Sequence, residues 1–201
     1  MDIAIASKNP GKIREILEFL SIPGLVVHTF EEYADWPVPT EYGKTFEENA
    51  RIKAIEILKY TGLPSLADDS GLVVDALDGR PGVHSSHYGG EEGNSQKNIE
   101  RLLRELEGVP ESERKARFVC VLALALSLEE VHFCTGICDG VILMEKRGEG
   151  GFGYDPVFMP DGFNLSMAEL TVKQKNAISH RGKALSKMRK ILEEIVIARK
   201  N

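Results

Sequence analysis

Two adjacent aspartates, Asp68 and Asp69, lie between short apolar segments at residues 66–67 and 72–74. Aspartate is rare in strands and in protein cores, so such a pair needs positive charge close by, from basic side chains or a metal ion. Because successive side chains of a strand point to opposite faces, one aspartate is expected to face a cleft and the other to brace a neighbouring cation or turn. We predict two short strands flanking a turn at Ser70-Gly71.

Residues 7–12, Ser-Lys-Asn-Pro-Gly-Lys, carry the opposite chemistry between a predicted strand at 3–6 and a helix that begins at Pro10. Proline suits the first position of a helix, where free N–H groups and the helix dipole attract phosphate. Lys8 and Lys12 add full positive charges. The glycine spacing of a Walker A loop is absent, and a capped helix with solvated lysines is the structural alternative.

A second helix is predicted from Thr45 to about Gly62, with Thr45 and Glu48 as a capping box. Magnesium favours one or two carboxylates together with waters and phosphate oxygens. Glu41, in the loop before this helix, and Glu48, in its first turn, are therefore both candidates for a carboxylate that joins Asp69 at a metal ion. Carboxylates for a divalent metal, together with a cationic loop, favour a nucleotide-hydrolysing enzyme.

The segment 148–156 contains four glycines within six residues, which would let the backbone approach a ligand closely. Phe152 and Tyr154 could offer flat faces to a base, and Asp155 could accept hydrogen bonds. The alternative is a structural glycine-rich turn with two aromatic anchors in the core.

Ser179 is the predicted N-cap of a last helix that runs from about Arg181 to the end of the chain. His180 and Arg181 then lie at the positive end of the helix dipole, where a cation is unfavourable. This local cost predicts an external partner for them, such as the edge of a base or a phosphate. A surface histidine–arginine pair is the alternative.

The composition is that of an ordinary globular protein of 201 residues, with 42% hydrophobic and 28% charged residues. A net charge of −6 argues against nucleic acid as a partner, and no apolar run is long enough to span a membrane. The first residues lack the pattern of a signal peptide. Cys120, Cys134 and Cys138 match no metal or redox motif and are expected to be structural thiols, so we predict a cytoplasmic protein.

Alternating strand and helix patterns predict a mixed α/β or α+β fold. The apolar run 118–128 and residues 131–133 should form a hairpin around Glu129-Glu130. No linker separates independent domains, so we expect residues 1–201 to form one domain with two lobes around a cleft.

Six segments of the chain together resemble the inosine triphosphate pyrophosphatase family, also described as XTP/dITP diphosphatases. They occur in the order of that family and span nearly the whole sequence. The segments are Ser7 to Lys12, Thr45 to Ala50, Ala67 to Leu72, Gly79 to Val83, Gly150 to Pro156, and Ser179-His180-Arg181. Each segment is a weak signal alone, whereas the ordered set is specific.

The resemblance implies an elongated, mainly mixed sheet flanked by helices, two lobes around a central cleft, and a homodimer. It also implies a hydrolase that depends on Mg²⁺ and converts ITP, dITP or XTP to the monophosphate and pyrophosphate, with attack at the α-phosphorus. Asp69 would be the catalytic base and would bind the metal together with Glu41. The implied substrate-binding residues fall into two groups. Ser7, Lys8, Asn9, Pro10, Gly11 and Lys12 would bind the triphosphate, with Lys53 facing phosphate or metal-bound water and Ser70 beside the substrate. Phe152, Gly153, Tyr154, Asp155, Lys175, His180 and Arg181 would form the base and sugar pocket.

Three other readings stay open at this point. A Maf-type pyrophosphatase would act on pyrimidine or modified nucleotides instead. A regulatory nucleotide-binding protein without turnover would have little need for the two adjacent carboxylates. A nucleic-acid-binding module fits poorly with the acidic net charge.

Overall fold

A computed structural model describes residues 1–198 of the chain, and these residues form six β-strands and five α-helices. The predicted end of the last helix lies outside the described residues. The strands are β1 (Asp2–Ile5), β2 (Val26–His28), β3 (Ser65–Val74), β4 (Lys115–Ala125), β5 (Val131–Ile142) and β6 (Phe158–Pro160). The helices are α1 (Pro10–Phe19), α2 (Phe46–Thr61), α3 (Ser95–Glu105), α4 (Val172–Ile178) and α5 (His180–Ala198).

The six strands form one mixed sheet with the order β2-β1-β3-β4-β5-β6. Strand β1 pairs in parallel with β2 and with β3, whereas β5 and β6 are antiparallel. Strands β4 and β5 follow each other through a turn in which the Leu126 N–H donates to the Glu130 carbonyl at 2.9 Å. The predicted mixed α/β class and the turn around Glu129-Glu130 are confirmed.

The chain divides into two compact units, each built from separate stretches of the sequence. Unit 1 contains residues 1–69 and 120–136 and the chain from residue 181 on, and unit 2 contains residues 70–119 and 137–180. Strands β3, β4 and β5 each pass from one unit into the other along the sequence. The expectation of one domain with two lobes stays a prediction.

Each unit has its own apolar core. In unit 1, one face of α5 contributes Ala184, Leu185, Met188 and Leu192, which pack with Ile3 and Ile5 of β1 and with Leu122 of β4. In unit 2, Ile99 and Leu102 of α3 and Leu106, directly after it, pack with Leu72 of β3 and Phe158 of β6. Apolar residues at helical spacing thus form the buried face of each helix.

The predicted turn at Ser70-Gly71 is wrong, because β3 runs without interruption from Ser65 to Val74. Asp68 and Asp69 lie within this strand and are buried. Their poor intrinsic preference for a strand is overridden because each carboxylate meets a cation from a distant part of the chain. The strand thus carries two carboxylates on opposite faces into the protein interior.

Candidate active site

Asp68 is surrounded by hydrogen-bond donors from three parts of unit 1. Its Oδ2 accepts from Arg181 Nε at 2.7 Å and from the Cys120 thiol at 3.1 Å, and its Oδ1 lies 2.6 Å from Lys12 Nζ. Burial alone would raise the pKa of Asp68, but the charges of Arg181 and Lys12 hold it well below the usual carboxyl range. Asp68 is therefore a buried anion whose charge is matched by the protein.

Asp69 points to the opposite face of β3 and has a much sparser environment. Its Oδ1 accepts from Lys53 Nζ at 2.6 Å, whereas its buried Oδ2 has no hydrogen-bond partner within residues 1–198. Burial raises the pKa of Asp69 to about 6, although Lys53 and Lys12 act in the opposite direction. A buried carboxylate oxygen without a donor costs free energy, which points to a ligand or a proton as its partner.

Lys53 lies between two carboxylates. Besides Asp69, its ammonium contacts Glu41 Oε1 at 3.3 Å. Burial disfavours the charge of Lys53, but Asp69 and Glu41 outweigh this effect and raise its pKa. Asp69 and Glu41 thus lie close to the same lysine, and Asp69 Oδ2 has no donor within residues 1–198. Mg²⁺ favours such carboxylate oxygens together with waters and phosphate oxygens. The residues present therefore fit a magnesium ion.

The structure separates the two candidates for the second carboxylate. The Glu48 carboxylate accepts from the N–H groups of Lys44 at 2.6 Å and Thr45 at 3.2 Å, and the Thr45 hydroxyl accepts from the Glu48 N–H at 3.1 Å. This is the predicted capping box of α2. Glu41 is exposed and reaches Lys53, so Glu41 is the acid that the fold brings towards Asp69.

The loop that carries Glu41 packs against the rest of unit 1 through aromatic side chains. Trp36 is buried, with ring centroids 5.2 Å from Tyr33 and 6.0 Å from Tyr60 of α2. The carbonyl of Trp36 also accepts from Lys8 Nζ at 3.2 Å. One tryptophan thus connects the Glu41 loop, helix α2 and the Ser7–Lys12 segment, a link that no local sequence pattern indicates.

The Ser7–Lys12 segment forms the predicted strand-to-helix turn. Pro10 opens α1, and the Asn9 side chain caps it by accepting from the Lys12 N–H at 3.1 Å. Ser7 Oγ accepts from the Asn9 N–H at 3.1 Å, and Lys8, Asn9 and Pro10 are exposed while Gly11 is half-buried. The N-terminus of α1 is therefore available to an anion, although the charge of Lys12 is already paired with Asp68.

Arg181 is fully buried at the first turn of α5. Its guanidinium donates to Asp68 and, through Nη1, to Glu15 Oε2 at 2.6 Å. The unfavourable position of this cation at a helix N-terminus is thus compensated by two carboxylates from inside unit 1. Its predicted contact with a base stays a prediction. Glu15 and Cys120, which complete this network, were not identified from the sequence.

In unit 2, Asp155 and Lys175 form a second buried pair. Lys175 Nζ donates to Asp155 Oδ2 at 2.8 Å, and the same oxygen accepts from the Phe152 N–H at 2.8 Å. The Lys175 ammonium lies 4.7 Å from the centroid of the Phe152 ring. Gly151 has a φ of +71°, and a Cβ there would collide with the Asp155 carboxylate. The glycine-rich turn therefore wraps around a carboxylate of the protein itself.

Four more of the predicted site residues, Ser70, Gly153, Tyr154 and His180, belong to unit 2. The Tyr154 hydroxyl donates to the Ser85 carbonyl at 2.9 Å, and burial raises the pKa of Tyr154. The His180 ring stacks on Phe118, with centroids 4.7 Å apart and an interplanar angle of 13°. Gly153 has a φ of +63°, and Ser70 is half-buried in β3. A hydrogen bond thus fixes the position of the tyrosine, and ring stacking fixes that of the histidine.

No group of three or more His, Cys, Asp or Glu side chains in residues 1–198 has the arrangement of a metal site, so a metal at Asp69 and Glu41 would need further ligands from solvent or substrate. Within the same residues, the helices are too short or too polar to cross a membrane.

Comparison with known proteins identifies relatives along nearly the full length. The sequence pattern of the Ham1 family matches residues 3–191. A Geobacillus kaustophilus protein named dITP/XTP pyrophosphatase is 50% identical over 195 residues, which are 97% of this chain and 96% of that protein. A HAM1 protein from Coxiella burnetii has a solved structure with a TM-score of 0.89 and 42% identity, covering 96% of this chain and 99% of the other.

The Ham1 protein of Staphylococcus aureus gives a similar result, with a TM-score of 0.86, 39% identity, and coverage of 96% of this chain and 99% of that one. These matches confirm the resemblance that the six ordered sequence segments indicate. The chain belongs to the Ham1 family.

Proposed function

We propose that this chain hydrolyses the non-standard purine nucleotides ITP, dITP and XTP to the monophosphate and pyrophosphate, and so removes them from the nucleotide pool. The observation that carries the chemistry is Asp69, a buried carboxylate with one oxygen lacking a donor within residues 1–198. The substrate class is supported by relatives named dITP/XTP pyrophosphatase at up to 50% identity. The Maf-type alternative has no observation in its favour.

In the proposed mechanism, Asp69 Oδ2 orients the attacking water and accepts its proton. In the metal-free protein, a pKa of about 6 leaves Asp69 largely ionised at neutral pH. Lys53 fixes the orientation of the carboxylate by bonding to Oδ1, which leaves Oδ2 for the water and the magnesium ion. Asp69 is thereby positioned for general base catalysis.

Asp69 and Glu41 would hold a magnesium ion, with remaining ligands from water and phosphate oxygens. When bound, this ion offsets the negative charge that accumulates on the phosphate oxygens during attack. Glu41 suits this role because it is exposed and already contacts the same lysine as Asp69. Lys53 keeps the two carboxylates together by its own charge.

The triphosphate is proposed to bind at the N-terminus of α1. The dipole of α1 and the exposed Lys8 supply positive potential there, whereas Pro10 has no N–H and the Lys12 N–H already donates to Asn9 Oδ1. Lys12 contributes less charge than its position in the sequence implies, because its ammonium is paired with Asp68. We therefore assign most of the phosphate recognition in residues 7–12 to Lys8, to the side chains of Ser7 and Asn9, and to the helix dipole.

The base and sugar are proposed to bind to unit 2 residues Phe152, Tyr154, Asp155, Lys175 and His180. Inosine and xanthine carry an acceptor oxygen at position 6, whereas adenine carries an amino group. A donor such as His180 would pair with the oxygen but not with the amino group, and a buried unpaired donor costs about 1–3 kcal/mol. This difference would favour ITP and XTP over ATP.

The proposal includes a homodimer and a cytoplasmic location. The dimer follows only from the resemblance. The three cysteines are all buried and form no disulfide within residues 1–198, which is consistent with a reducing compartment. We propose neither a nucleic acid nor a membrane as a partner.

A pyrophosphate-release assay across ITP, XTP, dITP, GTP, ATP and a pyrimidine triphosphate, with and without Mg²⁺, tests the function. We expect kcat/KM for ITP, dITP and XTP to exceed that for ATP by about tenfold or more, since 1.4 kcal/mol corresponds to a factor of ten. Turnover should disappear when the metal is chelated.

The assay separates the alternatives. Preference for the pyrimidine nucleotide would support the Maf-type reading, and no pyrophosphate release from any nucleotide in the presence of Mg²⁺ would support a binding protein without turnover. Equal kcat/KM for ITP and ATP would contradict the proposed base recognition.

A further inference from the structure

Two histidines face each other on a short 3₁₀ turn of unit 2, Gly82–His87. His84 and His87 are three residues apart and lie on the same side of this 3₁₀ turn. Their ring centroids are 5.3 Å apart, with an interplanar angle of 69°. His84 Nδ1 lies 3.3 Å from His87 Nε2. Both side chains are exposed to solvent, and neither belongs to the site proposed for the nucleotide.

The distance between the two nitrogens corresponds to the spacing of two ligands on one metal ion. Zinc binds histidine nitrogens at about 2.0–2.1 Å in tetrahedral geometry, which places two such nitrogens about 3.3–3.4 Å apart. In the structure this 3.3 Å separation is a hydrogen bond between the two rings, which an ion bound to both nitrogens would replace.

The second ring nitrogen of His87 is oriented by polar neighbours. His87 Nδ1 lies 3.2 Å from Ser86 Oγ and 3.4 Å from Glu92 Oε2. Histidines that bind metals commonly donate their other N–H to a carboxylate, which fixes the tautomer and makes the ligating nitrogen more basic. Ser86 lies within hydrogen-bond distance of His87 Nδ1 and Glu92 within ion-pair distance, so both favour a proton on Nδ1, which leaves Nε2 as an acceptor towards the ion.

The turn that carries the histidines is held in place on both sides. Ser85, between them, accepts from the Leu72 N–H at 2.9 Å through its hydroxyl, and its carbonyl accepts from the Tyr154 hydroxyl. The Asn98 side chain donates to the Ser86 carbonyl at 3.0 Å. A rigid backbone at this point lowers the entropy that binding an ion would otherwise cost.

We propose that His84 Nδ1 and His87 Nε2 form a two-histidine site for a divalent transition-metal ion of the zinc type, with water completing its coordination. Imidazole ligands suit such ions, whereas Mg²⁺ prefers carboxylate oxygens. The ion therefore differs from the one proposed at Asp69 and Glu41. Since the turn contacts Leu72 and Tyr154, metal binding would also stabilise unit 2 against unfolding.

Calorimetric titration with Zn²⁺ in the presence of saturating Mg²⁺ tests the site, because Mg²⁺ competes for the carboxylate ligands. The wild type is compared with His84→Gln and His87→Gln. His132→Gln is the control, since His132 is another histidine beside a carboxylate, 3.1 Å from Glu130, but lies outside the turn. Far-ultraviolet circular dichroism verifies that all variants are folded.

We expect each substitution in the turn to weaken Zn²⁺ binding at least about tenfold, while His132→Gln leaves it unchanged. With Cu²⁺ as a probe, the electron paramagnetic resonance spectrum should show coupling to two nitrogens in the wild type and fewer in each single variant. Equal Zn²⁺ affinity of folded wild type, His84→Gln and His87→Gln would overturn the proposal, as would a copper spectrum that the substitutions do not change.

Discussion

Asp68 and Asp69 are neighbours on one strand, and both are buried, yet their surroundings are opposite. Asp68 receives donors from Arg181, Lys12 and Cys120, and its pKa is well below the usual range. Asp69 receives one donor, from Lys53, and burial raises its pKa to about 6. The protein satisfies the first carboxylate and leaves one oxygen of the second without a partner within residues 1–198.

This contrast indicates a division between structure and chemistry. A buried charge with a full set of partners contributes to a defined fold, whereas a buried acceptor with too few partners lowers stability unless something binds it. We therefore expect the stability of the protein to depend on Asp68 and its turnover to depend on Asp69.

Asp68→Asn should destabilise the protein most. The change removes the counter-charge of two buried or partly buried cations, Arg181 and Lys12, and breaking a buried ion pair typically costs about 3–5 kcal/mol. Asp69→Asn is the matched variant. It removes the counter-charge of one cation, Lys53, which keeps Glu41 at 3.3 Å, and it removes a carboxylate whose ionisation burial disfavours, so we expect a smaller loss. Urea denaturation in metal-free buffer measures both. Equal losses in the two variants would contradict the contrast.

The pH dependence of stability should differ in sign for the two carboxylates. The folded pKa of Asp69, about 6, lies above the usual carboxyl value, so its contribution to stability is present below pH 4 and is lost as pH rises through 6. The loss is at most about 3 kcal/mol, since one pKa unit corresponds to 1.36 kcal/mol. The folded pKa of Asp68 is lowered, so its contribution is present above pH 4 and lost as pH falls further.

The contribution of Asp69 is measured by urea denaturation of wild type and Asp69→Asn between pH 4 and 8, in the presence of a chelator. The quantity compared is the difference between the two urea midpoints at each pH. That difference should grow in favour of the variant as pH rises through 6. A pH-independent difference would mean that Asp69 titrates with an ordinary pKa in the folded protein.

Cys120→Ala should have the smallest effect of the three. It removes the thiol that donates to Asp68 Oδ2 at 3.1 Å, and a hydrogen bond to a charged group contributes about 1.5–3 kcal/mol at most, less for a weak thiol donor. Cys134→Ala is the control, because Cys134 is a buried cysteine of the same apolar core. We expect Cys120→Ala to lose about 1 kcal/mol more than the control. An equal loss would show that the thiol contributes only by packing.

Local sequence signals predicted the parts of the fold that depend on neighbouring residues. The capping box of Thr45 and Glu48 and the buried face of α5 follow from spacing alone, and both are present. The opposite orientation of Asp68 and Asp69 follows from strand geometry and is also observed.

Long-range pairing could not be predicted in this way. The expected turn at Ser70-Gly71 is absent, because cations from α1, α2 and α5 make an extended strand tolerable for two aspartates. Arg181 and Asp68 are 113 positions apart in the sequence. No local pattern indicates that Arg181 pairs with a carboxylate of the protein itself and not with the external partner that we expected. The His84/His87 pair was missed because its spacing is informative only once the 3₁₀ turn is known.

The most direct test of this account is the rate of pyrophosphate release from XTP and dITP by Asp69→Asn in saturating Mg²⁺. The control is Asp75→Asn, an exposed aspartate just after β3 that pairs with Arg117 at 3.0 Å. The account predicts a loss of about 10²–10⁴-fold for folded Asp69→Asn, the range of general base catalysis, and an unchanged control. Undiminished hydrolysis by a folded Asp69→Asn protein would contradict it.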